Sequence, residues 1–227
     1  MERIIYHGSD SIVEKPQFGL GNKFNDYGLG FYCCSNKELA KEWASKRKGA
    51  GFVNRYRIRD DRLKILDLTK PPYNNVLYWV ALLVHNRKLP EALKDKHPVE
   101  LEYLEKRYLI DISKYDVVIG YRADDSYFSF ARDFVSGTIS YRQLTNALKL
   151  GNLGKQIVLL SKKAFEALHY IDNEPVDTIE WFPKKEKREL TAKKDYFDVN
   201  RNQRKKNDIY IINIIDEKME ANDERLQ

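Results

Sequence analysis

The chain has 227 residues, of which 42% are hydrophobic and 33% charged, with a net charge of +6, a composition typical of one globular domain or of one domain with an appendage. No apolar run approaches the roughly 20 residues that cross a bilayer, and the first residues lack the apolar segment of a signal peptide, which excludes a membrane-spanning protein. The two cysteines, Cys33 and Cys34, are adjacent and do not suit an ordinary structural disulfide, so we expect a reduced, cytoplasmic protein.

Short strands and loops dominate the predicted N-terminal half. Residues 3–7 form a predicted strand that ends at Gly8, and residues 11–27 contain the glycines, prolines and asparagines of a loop. Residues 30–34 predict a second strand, which Cys33 and Cys34 help to fill. Ser35 begins a capping-box pattern, which predicts a helix with an apolar stripe formed by Leu39, Ala40, Trp43 and Ala44. Strands are predicted at residues 52–58 and 64–68.

Helices and further strands follow in the second half. An apolar face at residues 76–84 predicts one helix, and Pro98 suits the first turn of another that reaches Tyr108. Strands are predicted at 115–121 and 156–160, and helices at 127–135, at 140–151 and after Ser161 as far as Leu168. The glycine-rich turn of a dinucleotide-binding Rossmann unit is missing. The predicted class is therefore α+β, with a mixed or antiparallel sheet of about six strands.

A basic segment follows the predicted main domain, residues 1–175, and lies in a C-terminal extension, residues 176–227. Residues 184–206 contain ten Lys or Arg and four Asp or Glu. Such a run suits nucleic acid, an acidic partner or a membrane surface, and it equally suits a solvated basic face. The isoleucines between Ile209 and Ile215 predict a strand or a docked helix.

Two motifs near the N-terminus carry the most information about chemistry. The first is Tyr6-His7-Gly8-Ser9, and the second is Asp26-Tyr27-Gly28-Leu29-Gly30-Phe31-Tyr32. In this order they resemble the ADP-ribosyltransferase superfamily, in the branch shared by diphtheria toxin and the poly(ADP-ribose) polymerases, which is marked by a His-Tyr-Glu triad. The second motif, the Trp43-Ala44 pair and the segments 120–125 and 155–161 also resemble a group of small, poorly characterised bacterial members. The resemblance covers residues 3–170.

The resemblance implies a split mixed or antiparallel sheet with flanking helices, and NAD as substrate. The reaction breaks the bond between nicotinamide and ribose through an oxocarbenium-like transition state. His7 would bond a ribose hydroxyl, the backbone of Gly8 would bond the nicotinamide carboxamide, and Tyr32 would stack on the nicotinamide ring. The remaining residues expected to cradle NAD from these motifs are Tyr6, Ser9, Gly30 and Phe31.

The third position of the triad departs from the family. Gln156 stands where the family has glutamate, and an amide can bond a hydroxyl but can neither act as a general base nor carry negative charge. Chain elongation is therefore not expected, whereas transfer of a single ADP-ribose and binding without turnover both stay open. Asp125 and Asp124 are predicted to supply a carboxylate, with Asp26 as a weaker candidate. Arg122 is predicted to hold a phosphate of NAD.

The function implied is that of a bacterial mono-ADP-ribosyltransferase with a protein or nucleic acid as acceptor. The implied setting is a toxin–antitoxin or phage-defence locus, in which an antitoxin protein would be its partner. The alternative is a non-catalytic module that binds NAD or ADP-ribose, which Gln156 favours. A third reading, an RNA-processing relative that consumes NAD to remove a 2′-phosphate, would need a basic phosphate pocket near the site, for which Arg122 and Lys155 alone are too few. No metal site is predicted, because the four histidines show no ligand spacing.

Overall fold

The computed structural model describes residues 2–123, 125–150, 154–201 and 203–226, with their side chains except at 125–127 and 199–201. The strands within these ranges are β1 (Glu2–Ser9), β2 (Phe31–Cys34), β3 (Gly51–Arg59), β4 (Ile65–Asp67), β5 (Val117–Tyr121), β6 (Lys155–Leu159) and β7 (Leu168–Val176). The α-helices are α1 (Lys37–Ala44), α2 (Val76–Asn86), α3 (Glu91–Lys96), α4 (Pro98–Tyr108), α5 (Asp125–Val135), α6 (Tyr141–Ala147), α7 (Lys162–Glu166), α8 (Thr178–Asp195) and α9 (Ile211–Asp216).

The strands form one mixed sheet in the order β4-β5-β6-β2-β1-β3-β7. Strand β1 pairs with β3 along its whole length, from Glu2 to Ser9, but it pairs with β2 only through Tyr6 and Cys34. Beyond that single pair the end of β1 and the start of β2 diverge. The predicted class, α+β with a mixed sheet, is therefore confirmed, and the described sheet has seven strands where about six were predicted.

Neighbouring residues on β2 serve opposite faces of the sheet, because side chains alternate along a strand. Cys33 packs with Ile5 and Tyr56 on one face, and Cys34 packs with Ala40 on the other. Both cysteines are free and buried, as expected for residues that fill a strand. Burial raises the pKa of both thiols, that of Cys34 to about 11, so both stay protonated at neutral pH.

Helix α1 lies directly on β1 and β3, where two glycines allow a close approach. A Cβ atom at Gly8 would lie 2.0 Å from the carbonyl oxygen of Ala40, and one at Gly51 would lie 2.7 Å from that of Ala44. The cap of this helix is Asn36, whose side chain accepts the N–H of Glu38 and of Leu39. The predicted cap at Ser35 is therefore wrong by one residue, because the Asn36 amide oxygen already accepts these hydrogens.

The other helices agree with most of the sequence predictions. Helix α2 is buried along nearly its whole length, Pro98 begins α4, and Ser140 and Ser161 cap α6 and α7. Helix α6 ends at Ala147, short of the predicted 151. Leu168 begins β7 instead of continuing α7, and this strand was missed because it lies at the sheet edge, where its half-exposed residues dilute the apolar alternation.

The C-terminal extension packs on the same core as α2. Its side chains Ala192, Tyr196, Ile211 and Leu226 belong to the hydrophobic cluster that contains α2. The hydroxyl of Tyr141 donates to the carbonyl of Leu226 at 2.6 Å. Residues 211–216 form a helix, so of the two alternatives for the isoleucine segment the docked helix is confirmed. Within the described ranges no helix combines the length and apolar character required to cross a membrane.

Candidate active site

A cavity of about 630 Å³ lies where β1 and β2 separate. The residues that line it come from both sides of the divided sheet, from the ends of β5 and α2, from α1 and from the loop between β1 and β2. They include most of the residues predicted for the site, namely His7, Gly30, Phe31, Tyr32, Arg122 and Gln156. The separation of the strands thus exposes side chains from both faces of the sheet to one volume.

His7 bridges the two strands with its imidazole. Its Nδ1 lies 2.7 Å from the carbonyl oxygen of Tyr32, which can only accept, so Nδ1 carries the hydrogen. Burial lowers the pKa of His7, and the bond to Tyr32 only partly opposes that effect, so the ring is neutral at neutral pH. The Phe31 ring lies against the imidazole with centroids 4.4 Å apart. Nε2 therefore keeps a lone pair that can accept a ligand hydroxyl.

Tyr32 is fixed at the far end of its ring by the turn that precedes β2. Its hydroxyl donates to the carbonyl of Gly28 at 2.7 Å and accepts the N–H of Tyr27 at 3.1 Å. Gly28 has φ 71°, a left-handed conformation that glycine adopts without strain. Burial raises the pKa of Tyr32, so the phenol stays protonated. The turn thereby holds the ring against the cavity.

Other residues of the second motif pack this turn against the sheet. The hydroxyl of Tyr27 donates to the carbonyl of Tyr121 at 2.7 Å and lies where a Cβ on Gly120 would be only 2.1 Å away. A Cβ on Gly30 would lie 2.7 Å from Cγ1 of Val158. Glycines at these positions therefore let the turn approach β5 and β6, and the spacing of the motif has a packing cause.

Asp26 is the carboxylate at the centre of the site. It is 4% exposed, and its Oδ2 accepts the N–H of Ala123 at 2.8 Å and Nε2–H of Gln156 at 3.2 Å. Its Oδ1 accepts from Arg87 at 2.8 Å. Burial raises the pKa of Asp26, while the Ala123 N–H and the Arg87 guanidinium act in the opposite direction. The weaker of the predicted carboxylates is thus the one bonded to Gln156.

The two stronger carboxylate predictions cannot be placed in the same way. Asp124 lies outside the described residues, and Asp125 begins α5 with a side chain that is also outside them. Among the described residues that line the cavity, Asp26 is the sole carboxylate. The expectation for Asp124 and Asp125 therefore stays a prediction.

Two guanidinium groups flank Asp26. Arg87, which follows α2, donates to the carbonyl of Ala123 at 2.6 Å as well as to Asp26. The guanidinium of Arg122 lies 4.6 Å from the centre of the Trp43 ring. Two fixed positive charges beside one negative charge leave a net positive local charge, which suits the phosphates of a nucleotide. Lys155 is directed elsewhere, because its Nζ donates to Thr69 Oγ1 at 2.6 Å.

Three residues of the first motif do not line the cavity. Tyr6 packs on the face of the sheet that α1 covers, and Gly8 is the point of closest approach to α1. The hydroxyl of Ser9 donates to the carbonyl of Ser11 at 2.6 Å and accepts from Asn54 at 3.0 Å. These residues position the strand and the loop around the site, and any contact of their backbone with NAD stays a prediction.

Two residues that line or support the site were not predicted from the sequence: Arg87 lines the cavity, and Asn54 anchors a loop beside it. Arg87 follows the predicted helix at residues 76–84 and belongs to no motif; its signal is that an arginine directly after a buried helix can be held in place as a fixed charge. Asn54 is fully buried on β3 and bonds Val13, Ser9 and Ser11, which anchors the loop that leads to the second motif. Its signal was a polar residue on the apolar face shared by Phe52, Tyr56 and Ile58.

These features define an α+β protein whose divided sheet holds a cavity with a neutral histidine, an anchored tyrosine and a buried carboxylate–amide pair. The family described as "Protein of unknown function (DUF3990)" matches residues 3–170, and the chain belongs to this family. The matched range includes every residue named above as lining the cavity and excludes the C-terminal extension. No curated protein and no solved structure matches the chain.

Proposed function

We propose that this protein is a mono-ADP-ribosyltransferase with an ADP-ribosyltransferase-like core, which binds NAD in the cavity between β1 and β2. The observation that carries the proposal is the convergence of His7, Tyr32 and Gln156 on that one cavity. These residues come from three strands, and they match the three positions of the triad in the superfamily that the sequence resembles. A volume of about 630 Å³ is within the range of small-molecule sites.

In this proposal the protein's side chains orient NAD and place polar and charged groups beside it. Nε2 of His7 accepts a ribose hydroxyl, the ring of Tyr32 stacks on the nicotinamide, and the guanidinium groups of Arg87 and Arg122 face the diphosphate. The nicotinamide–ribose bond breaks with its electron pair leaving on nicotinamide, and the acceptor's nucleophile then bonds to the anomeric carbon and loses a proton. Holding both parts of NAD in a fixed geometry lowers the activation barrier, because the entropic cost of orienting the reacting groups is met on binding.

The test is release of nicotinamide from NAD by the purified protein, together with transfer of label from adenine-labelled NAD to macromolecules in a lysate. His7→Ala and Tyr32→Ala are each expected to reduce both signals at least a hundredfold, on the order of 2.7 kcal/mol of transition-state stabilisation. Tyr73→Ala, a half-buried tyrosine outside the cavity, is the matched control and should keep the activity. Absence of release and transfer with several lysates would contradict the proposal.

The second candidate is a module that binds NAD or ADP-ribose without turnover. It is favoured by Gln156, since an amide replaces the acid of the triad, and by the pairing of Asp26 with Arg87, which offsets its charge. Thermal unfolding separates the two candidates. A ligand present at a hundred times its Kd stabilises the folded state by about 2.7 kcal/mol, so stabilisation by NAD without nicotinamide release identifies a binder.

The acceptor and the biological setting belong to the same proposal. The basic run of residues 184–206 supports nucleic acid as acceptor, because lysine and arginine contact phosphates without regard to sequence. Digestion of the labelled products with nuclease or with protease distinguishes a nucleic acid from a protein. For a toxin held by an antitoxin protein, induced expression should arrest growth, and Tyr32→Ala should relieve the arrest.

A further inference from the structure

The Asp26–Gln156 pair fixes the direction of an amide inside the cavity. Asp26 Oδ2 lies 3.2 Å from Nε2 of Gln156, and the same oxygen accepts the Ala123 N–H. Both Asp26 oxygens already accept from N–H groups, Oδ2 from Ala123 and Oδ1 from Arg87, so the donor end of the Gln156 amide, Nε2, faces the carboxyl group. The oxygen end is thereby turned away from Asp26.

That oxygen lacks a partner among the described residues. Gln156 is 6% exposed and lines the cavity, and its Oε1 is buried without a hydrogen bond to any of them. A buried acceptor left unpaired costs free energy, which makes it a place where a donor from a ligand gains affinity. A hydroxyl is a donor of the right kind, and NAD carries several on its riboses.

We propose that Asp26 is a positioning residue, which holds the Gln156 amide so that Oε1 accepts a hydroxyl of the bound ligand. The identity of that ligand as NAD rests on the proposed function, whereas the orientation of the amide does not. Asp26 acts here through Gln156, because Arg87 at 2.8 Å and the nearby Arg122 offset its own negative charge. In this pair the amide oxygen of Gln156, a neutral acceptor with a fixed direction, takes the place of the carboxylate that the resembling family has at the third position of its triad.

The orientation is tested first in the unliganded wild-type protein by NMR. The side-chain NH₂ signals of Gln156 are assigned by their absence from the spectrum of Gln156→Met. Because the Gln156 Nε2–H and the Ala123 N–H both point at Asp26 Oδ2, we expect a nuclear Overhauser contact between them. Absence of this contact in the folded wild type would overturn the proposal, whatever the protein binds.

The dependence on Asp26 is tested with Asp26→Asn, which offers its neighbours one acceptor and one donor group in place of two acceptors. The Gln156 NH₂ signals should shift, and their hydrogen exchange should accelerate about tenfold, as for the loss of one buried hydrogen bond. Gln143, a buried glutamine whose Oε1 accepts the Ser140 N–H at 2.8 Å in the cap of α6, is the control amide and should be unchanged. Unchanged Gln156 signals would contradict the proposal.

The final test is a double-mutant cycle for NAD affinity. Asp26→Asn and Gln156→Met are each expected to raise the Kd about tenfold, the effect of one hydrogen bond. The Kd of the double variant should not exceed the higher of the two single-variant Kd values, because both substitutions remove the same contact. Losses that multiply to about a hundredfold would show that Asp26 acts independently of Gln156. A wild type that binds no NAD would contradict the proposed function and leave the NMR tests of the amide intact.

Discussion

The two motifs near the N-terminus reach the cavity in different ways. In the first, Tyr6 to Ser9, only His7 lines it, because the motif lies on an extended strand whose side chains alternate between faces. In the second, Asp26 to Tyr32, four residues line it: Asp26, Gly30, Phe31 and Tyr32. The second motif passes from a turn into the start of β2, where β1 has diverged. Phe31 and Tyr32 therefore both reach the cavity, although both pair with β6.

Comparing the two motifs shows which of their residues are required for packing and which present chemical groups to the cavity. Gly8 and Gly30 were both expected to contact NAD, but Gly8 is required by the approach of α1 and Gly30 by the approach of β6. His7 and Tyr32, in contrast, present groups that the fold alone does not need in the cavity. Substitutions that respect this division should affect stability and ligand binding separately.

The largest effect on folding is expected for Gly8→Ala. The added Cβ would lie 2.0 Å from the carbonyl oxygen of Ala40, and both atoms belong to backbone that cannot move without separating α1 from β1. We expect the free energy of unfolding to fall by about 3 kcal/mol, measured by denaturant unfolding. Gly19→Ala is the control, because nothing lies within 4 Å of its Cβ position. Its φ of 84° should cost only about 1 kcal/mol. Equal losses for the two variants would show that the close approach of α1 is unimportant.

Much of this arrangement follows from local sequence. The strands from β1 to β6, the caps at Ser140 and Ser161 and the first turn of α4 follow from alternation, capping patterns and proline, which act over a few residues. The convergence of His7, Tyr32 and Gln156 was expected from the resemblance to a family and not from spacing.

What could not be predicted depends on contacts between distant segments. The bond from Asp26 to Gln156 joins residues on opposite halves of the chain, and the bond from Arg87 to Asp26 links a helix end to a loop. Neither hydrogen bond produces a periodic pattern or a short motif in the sequence from which it could be predicted. The same holds for Asn54, whose buried amide is paired with Val13 and Ser11 of the following loop and with Ser9 at the end of β1.

A smaller effect is expected for Tyr32→Phe, which keeps the ring and removes the hydroxyl. The bonds to the Gly28 carbonyl and from the Tyr27 N–H are lost, so we expect about 1 kcal/mol less stability and an NAD affinity reduced about fivefold, since the ring is less firmly held. The matched control is Tyr27→Phe, which loses the bond to the Tyr121 carbonyl in the same turn but lies outside the cavity. Calorimetry should show a similar loss of stability with unchanged NAD affinity. A reduced affinity in the control would mean that the turn as a whole, and not the Tyr32 ring, sets binding.

The last effect expected is a pH dependence of stability that originates at His7. Burial lowers the pKa of His7 in the folded protein below the 6.5 of an ordinary histidine, so the unfolded chain binds this proton more tightly. The stabilisation from a neutral His7 is therefore complete above about pH 6.5 and is lost as the pH falls through the folded-state pKa. One proton limits the slope to about 1.4 kcal/mol per pH unit. His7→Gln, whose Nε2–H can still donate to the Tyr32 carbonyl, removes this proton. The difference in unfolding free energy between wild type and variant should decrease as the pH is lowered from 7.5 to 5. A constant difference would show that His7 titrates as a solvent-exposed histidine does, and it would remove the reason to assign its Nε2 the role of acceptor.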